Sequence, residues 1–241
     1  MEGHPDNRFV AHFDMLGMSA LTKRDPDLAW QKLSALSKVT QENLSLGIER
    51  LDTREYIRDQ VREFIFSDTI VLFSKSDTQN DILAIAIIAT EIFSRSLHYC
   101  VPLRGGIAHG RFAFNLDHYL FSGPALVDAY ELGESSQWLG ISLDDKVAEA
   151  VMKLPIARST RGKAMVVNWE VPCKNGSIEN RMVINWPESH RDNYVGPIPV
   201  EAVTFYQPFA KLFGPFDQLT DSVRLKYEST VAFLNAHFEP E

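Results

Sequence analysis

Two β-prone runs, residues 61–66 and 69–73, are separated only by Ser67 and Asp68, and this pattern constrains the fold most. Runs of aromatic and β-branched residues on both sides of so short a break are typical of a β-hairpin. A hairpin makes its two strands antiparallel neighbours. The sequence therefore predicts an antiparallel sheet that carries Asp68 at a hairpin tip.

The elements around this hairpin suggest how the sheet is built. Residues 9–13 predict a strand that ends at Asp14 and leads into a loop with Gly17 and Ser19. Residues 27–51 predict a helix, preceded by Asp25 as a cap and Pro26 in its first turn. The later periodic segments predict a helix at 81–99, a strand at 101–108 closed by His109 and Gly110, a partner strand at 111–114, a helix at 125–132, and a strand and helix within 141–152. The order strand, helix, strand, strand, helix, strand predicts an α+β, ferredoxin-like core over residues 1–154.

The character of the sequence changes after Pro155. Residues 164–171 and 181–186 predict two strands joined by a turn at 174–177, and residues 200–238 predict helices interrupted at Gly214 and Pro215. No flexible linker separates these segments from the core. We therefore expect residues 155–241 to form a C-terminal extension, a β-hairpin and helices, packed on the core.

Composition excludes several classes of function. The chain has 24 basic and 32 acidic residues, and a net charge of -8 disfavours a broad electrostatic grip on nucleic acid or anionic lipid. Cys100 and Cys173 are too few for a disulfide framework or a cysteine zinc site. The N-terminus lacks signal-peptide order, and the longest apolar run, 82–89, is too short to span a bilayer. We expect a cytoplasmic protein that acts on a small ligand.

Asp14 and Asp68 are the candidate metal ligands. Carboxylates fixed at strand ends are the hard oxygen donors that a two-metal phosphoryl-transfer site needs. Acidic residues also cap strands and turns commonly, so the pair alone is also consistent with a solvated surface. The glycine-containing turn after Asp14 adds backbone N–H groups that could cradle phosphate oxygens.

Three segments together resemble one known family. FDMLGMSALT, which contains Asp14, is similar to the first metal motif of class III nucleotidyl cyclases, and FIFSDTIVLF, which contains Asp68, is similar to the second. LRGGIAHGRF is similar to the family's later arginine and glycine strand. The three motifs occur in the family's order within the first 154 residues, and the resemblance implies a class III cyclase catalytic domain.

The resemblance also implies the roles of individual residues. Asp14 and Asp68 would bind two divalent ions, Mn²⁺ or Mg²⁺, with the Met15 carbonyl as a further ligand. The backbone of Leu16, Gly17 and Met18 would meet the triphosphate, and Arg104 would contact the terminal phosphates. Catalysis would be attack of the ribose 3′ oxygen on the α-phosphate with loss of pyrophosphate, which needs no protein nucleophile. We therefore expect His12 and His109 to be structural.

The sequence departs from the purine cyclases of this family at four positions. The purine-selecting lysine and its acidic partner are replaced by Phe64 and Leu120, whose apolar side chains offer no hydrogen bond to a purine. The asparagine and arginine that reach the transition state across the dimer correspond to Val127 and Glu131. Arg111, Arg95 and Lys146 are candidates for the missing cation, and the pattern does not choose among them.

These departures resemble the bacterial Pycsar pyrimidine cyclases, which share the short motifs and a C-terminal extension. The resemblance implies a homodimer that makes cyclic UMP from UTP in antiphage defence, with the product acting on a separate effector protein. Phe64, Tyr56 and Leu120 are the predicted base pocket. CTP is the alternative substrate, and an inactive nucleotide sensor or a purely structural module are the alternative functions.

Overall fold

The computed structural model describes residues 2–45, 47–50, 53–154, 163–190 and 200–238. It has a mixed α+β architecture, in which helices lie on both sides of one large sheet. The strands are β1 Glu2–Met15, β2 Ile48–Glu49, β3 Tyr56–Ile57, β4 Val61–Phe66, β5 Thr69–Ser74, β6 Leu103–Asn115, β7 Leu120–Ser122, β8 Ile141–Leu143, β9 Val166–Pro172 and β10 Ile178–Ile184. The helices are α1 Met18–Arg24, α2 Pro26–Ser45, α3 Gln79–His98, α4 Pro124–Ser135, α5 Asp145–Met152, α6 Trp186–His190, α7 Ala202–Tyr206, α8 Ala210–Phe213 and α9 Asp221–His237.

The central strands follow the order β4-β5-β1-β6-β8-β10-β9. The first four are antiparallel to their neighbours, and their order around the two helices α2 and α3 matches the ferredoxin-like arrangement that the sequence predicts. Strand β8 then pairs parallel to β6, and β7 pairs with the far end of β6. Strands β2 and β3 form a separate two-stranded sheet.

Side-chain alternation along β1 gives the sheet two different faces. Phe9, Ala11, Phe13 and Met15 point into the main apolar core beneath α2 and α3, whereas Val10 belongs to a smaller cluster on the opposite face. Helix α4 covers the β6, β1 and β8 part of that opposite face, which we call the open face. Asp14 shares the side-chain orientation of Val10, so the open face carries it.

Glycine at position 106 lets α4 approach the sheet closely. A Cβ atom there would lie 2.4 Å from the Ala129 carbonyl oxygen, so any side chain would push the helix away from β6. The same helix also passes close to the neighbouring Gly105, at Gly133. Packing of α4 therefore explains Gly106, whereas a Cβ atom at Gly105 would meet the Phe13 ring and the His12 carbonyl oxygen of β1.

The C-terminal extension continues the central sheet. Strand β10 pairs antiparallel to β8 at Val183 and Ser142, and β9 forms the outer strand of the hairpin. Helix α9 packs on this end of the sheet, where the Phe233 ring lies edge-on to Trp138 at 4.9 Å. The division of the chain at residues 154 and 155 stays a prediction, and residues 155–162 lie outside the described part.

Two sequence-based expectations about elements were wrong. Residues 101–108 and 111–114 are not two paired strands, because β6 runs unbroken from Leu103 to Asn115. Strand β6 stays extended because β1 pairs with it along its whole length, as far as Glu2. The strand that turns back and pairs with the end of β6 is β7. The predicted helix 27–51 ends at Ser45 as α2, and residues 48–49 are a strand instead.

Candidate active site

The structure brings Asp14 and Asp68 to adjacent points on the sheet. Asp14, the penultimate residue of β1, pairs in register with Thr69, the first residue of β5. The Met15 N–H donates to the Asp68 carbonyl at 2.8 Å, which ties the end of β1 to the hairpin tip. Ser67 adopts a left-handed conformation, φ 55°, that closes the tight turn. Both carboxylates are partly exposed.

Neighbouring groups shift the pKa of the Asp14 carboxyl in opposite directions. Burial raises the pKa of its carboxyl, the charge and hydrogen bond of Arg104 lower it, and the charges of Glu134 and Asp68 raise it again. The raising contribution from Asp68 means that the two carboxylates repel each other. A divalent cation between them would relieve that repulsion.

Arg104 is the buried cation of the site. Its side chain is only 3% exposed, and its Nη2 donates to Asp14 Oδ2 at 2.8 Å and to Glu134 Oε2. Its Nη1 donates to the Ser136 carbonyl at 3.1 Å. The guanidinium therefore fixes Asp14 relative to residues 134–136 at the C-terminal end of α4.

The residues present fit a divalent metal site that the substrate completes. No group of three or more His, Cys, Asp or Glu side chains that could hold a metal occurs in the part of the chain that the structure describes. Mg²⁺ is commonly held by one or two carboxylates, with substrate phosphates and water as the remaining ligands. Asp14 and Asp68 match that donor set, with the Met15 carbonyl close by in sequence.

The turn after Asp14 is held in place by the backbone and by the C-terminal extension. The Leu16 N–H donates to the Pro102 carbonyl at 2.9 Å, so this amide of the predicted triphosphate grip is already engaged. Gly17 has φ 77°, and the ring of Phe213 lies where a Cβ atom would be. Met18 begins α1, whose first amides have no intrahelical acceptor. The predicted contact of Gly17 and Met18 with a phosphate stays a prediction.

A cavity of about 500 Å³ lies on the open face next to Asp14. Its lining includes the predicted base-pocket residues Phe64 and Leu120, and the Phe64 ring packs on Phe121 at a centroid distance of 4.3 Å. The third predicted base-pocket residue, Tyr56, does not line this cavity. It lies on β3 in the two-stranded sheet, 54% exposed, with Arg58 over its ring.

The two histidines lie on different faces. His12 lines the open-face cavity, edge-on to the Tyr130 ring at 5.2 Å, and burial lowers its pKa from 6.5 to about 4. His109 packs on Phe9 on the covered face, and its backbone N–H donates to Asp144.

The three candidate replacement cations lie away from the carboxylate pair. Arg95 belongs to α3 on the covered face, where it pairs with Glu91, and Lys146 lines a second cavity with His109. Arg111 is exposed on β6, seven residues along the strand from Arg104. Val127 lines the open-face cavity, and Glu131 is exposed on α4.

Sequence reasoning missed three charged residues that the fold places near Asp14. Glu134, at the end of α4, accepts from Arg104 and from Lys174 of the β9–β10 hairpin. Lys226 of α9 interacts electrostatically with Arg104, Lys174, Glu134 and Asp14. The two lysines come from the extension, and no local pattern in the sequence announces contacts across such distances along the chain.

Comparisons with known proteins support the fold. No protein-family model matches the chain, and no curated protein matches its sequence. Among solved structures it is similar to the crystal structure of the catalytic core of a rhodopsin-guanylyl cyclase with converted specificity in complex with ATPalphaS, with a TM-score of 0.50 and 11% identity. The similarity covers 76% of this chain and 97% of that one. It shows the fold of a class III cyclase catalytic domain and confirms the predicted fold class.

None of the helices within the described ranges combines the length and apolarity needed to cross a bilayer.

Proposed function

We propose that the chain is a nucleotidyl cyclase that converts UTP to 3′,5′-cyclic UMP and pyrophosphate. The observation that carries the proposal is the placement of Asp14 and Asp68 on adjacent strand ends, bridged by the Met15 to Asp68 backbone hydrogen bond, with buried Arg104 beside them. The likeness to a cyclase catalytic core adds that this fold can host the chemistry.

In this proposal each residue of the site has its own role in the reaction. Asp14 and Asp68, with the Met15 carbonyl, would hold two divalent ions, Mn²⁺ or Mg²⁺. When bound, these ions supply Lewis-acid stabilisation to the attacking ribose oxygen and the leaving pyrophosphate. The Gly17 and Met18 amides bind phosphate oxygens, and Arg104 orients Asp14 and faces the terminal phosphates with a fixed positive charge.

The open-face cavity is the proposed base site. Phe64 and Leu120 present apolar side chains where a purine would need hydrogen-bonding partners, and the packing of Phe64 on Phe121 narrows the available space. Both features favour a pyrimidine. Uracil is favoured over cytosine by the resemblance of the motifs to the Pycsar cyclases, and CTP remains the alternative substrate.

Exposed apolar residues beside the cavity support a homodimer. Phe66 is 70% exposed and Leu120 is 62% exposed, and Tyr119, Val127 and Tyr130 extend the same patch. Contiguous exposed apolar surface commonly marks an interaction site. We propose that two copies associate through the open face, in the cytoplasm, and that cyclic UMP then acts on a separate effector in antiphage defence.

A second function is favoured by one observation. Val127 and Glu131 stand where purine cyclases place their transition-state groups, and the structure puts Arg95, Arg111 and Lys146 elsewhere. A protein that binds a nucleoside triphosphate and metal without turnover would have this arrangement.

The deciding experiment is incubation of the purified chain with Mn²⁺ and each of UTP, CTP, ATP and GTP. We expect cyclic UMP and an equal amount of pyrophosphate from UTP. Binding of UTP without pyrophosphate release would support the inactive alternative. No binding of any of the four nucleotides would refute both functions.

A further inference from the structure

Lys226 is a half-buried lysine of α9 that lies beside the proposed site without a carboxylate partner. Among the described residues, no Asp or Glu oxygen lies within 4 Å of its Nζ atom. The Lys226 ammonium donates a long hydrogen bond, 3.4 Å, to the Ser222 carbonyl. A partly buried ammonium with so weak a local partner is poorly stabilised in the protein alone.

Two hydrogen bonds fix the face of α9 that carries Lys226. Ser222 and Thr230 lie one helical turn before and after it, so the three side chains share one face. The Gln137 Nε2 donates to Ser222 Oγ at 2.8 Å, and the Leu139 N–H donates to Thr230 Oγ1 at 2.8 Å. Lys226 is thereby held against the segment that directly follows Ser136, whose carbonyl accepts from Arg104.

The charges around Lys226 are those of the candidate site. Burial lowers the pKa of Lys226, Arg104 and Lys174 lower it further, and Glu134 and Asp14 raise it. Arg104 pairs with Asp14 and Glu134, and Lys174 pairs with Glu134. Arg104 and Lys174 thus each form an ion pair with a carboxylate. Within the described part of the chain, Lys226 forms none.

We propose that Lys226 binds the terminal phosphates of the nucleotide and the pyrophosphate that leaves, so that the C-terminal extension completes the triphosphate site. This inference rests on the proposed cyclase function. An ammonium is a suitable point-charge ligand for phosphate, and a cation at the leaving group stabilises the charge that develops there. The extension also reaches the phosphate-binding turn at a second point, where Phe213 packs on Gly17.

The test compares neutral, charged and control variants of full-length protein. Lys226→Gln and Lys226→Met both remove the charge. Lys226→Met keeps an unbranched apolar side chain and serves as the neutral variant if Lys226→Gln fails to fold. Lys226→Arg retains the charge. Lys211→Gln removes an exposed lysine of α8 in the same extension and serves as the control. Calorimetry with inorganic pyrophosphate and Mn²⁺ gives the affinity, and initial rates with UTP give kcat and KM.

We expect both neutral variants to bind pyrophosphate about 10-fold more weakly and to raise the KM for UTP. We expect Lys226→Arg to recover most of the affinity and Lys211→Gln to match wild type. Wild-type pyrophosphate affinity in a folded neutral variant would overturn this inference and leave the cyclase proposal standing. Absence of nucleotide and pyrophosphate binding in the wild type would overturn both.

Discussion

Asp14 and Arg104 are direct partners across β1 and β6, and their side chains form an ion pair of 2.8 Å between Oδ2 and Nη2. The residue proposed to hold metal is thus also the partner of the most deeply buried cation of the site. Among the described residues, no basic side chain pairs with the Asp68 carboxylate, and its backbone carbonyl accepts from the Met15 amide. The two proposed metal ligands therefore differ in what they contribute to folding.

Asparagine substitutions separate these roles. We expect Asp68→Asn to abolish cyclic UMP formation and to change the free energy of unfolding by no more than about 0.5 kcal/mol. Asp14→Asn should abolish activity and also lose about 1–3 kcal/mol, since Glu134 is then the one carboxylate of the described residues that still pairs with Arg104. Urea unfolding and a product assay measure both effects. Equal stability losses in the two variants would contradict the inequality.

Alanine substitutions of two glycines in β6 test the packing of α4. Gly106→Ala should cost about 1–3 kcal/mol, because the new Cβ would lie 2.4 Å from the Ala129 carbonyl oxygen. Gly110→Ala is the matched control, since its Cβ would meet Ala125 at an ordinary 3.7 Å. Thermal unfolding of the two variants gives the comparison. A destabilised Gly110→Ala together with a neutral Gly106→Ala would refute this view of the helix.

The sequence predicted the elements that local chemistry determines. The hairpin around Asp68 and helix α3 follow from β-prone runs at a short turn and from helical periodicity, and the structure has both. The sequence did not predict that β6 stays unbroken through Gly110, because pairing with β1 and not local propensity decides this. The contacts of Lys174 and Lys226 with the site were missed for the same reason. They depend on how β10 and α9 pack on the core.

Acid should destabilise the chain through His12. Its pKa in the folded protein is about 4, below the ordinary 6.5, so the unfolded chain takes up the proton first as the pH falls. Stability contributed by the neutral ring is complete above pH 6.5 and is lost towards pH 4. Between about pH 7 and about pH 5 the loss should be up to about 2 kcal/mol.

Replacement of the ring isolates that contribution. His12→Gln should lose less stability over the same pH interval than wild type does, as measured by urea unfolding. Buried His190, whose pKa is also lowered to about 4, should account for a remaining part of the loss. Identical pH dependence in His12→Gln and wild type would show that His12 is not the titrating group.

Lysine at an exposed aromatic position tests the homodimer. Phe66→Lys should leave monomer stability within about 0.5 kcal/mol, because the ring is 70% exposed, but should shift the chain to a monomer and abolish activity. Trp30→Lys is the control, with a ring 71% exposed on α2. Sedimentation measures the association state. Dissociation by both variants, or by neither, would argue against the open face as the interface.

The proposed preference for a pyrimidine over a purine base depends on Phe64. Phe64→Lys places a hydrogen-bonding cation in the open-face cavity and should lower the UTP rate while raising the relative rates with ATP or GTP. Rates with all four nucleotides measure the change. Unchanged relative rates would remove Phe64 from the base pocket.

The attachment of α9 to the segment after α4 has a consequence for how the protein is made. Trp138 contacts Phe233 and the Leu139 N–H donates to Thr230 Oγ1, so the segment after α4 gains these partners only once α9 has been synthesised. During synthesis, the ribosome releases both aspartates long before Lys226 emerges. A chain that stops before α9 therefore holds Asp14, Asp68 and Arg104 without Lys226, and we expect it to bind nucleotide more weakly than the chain that includes α9.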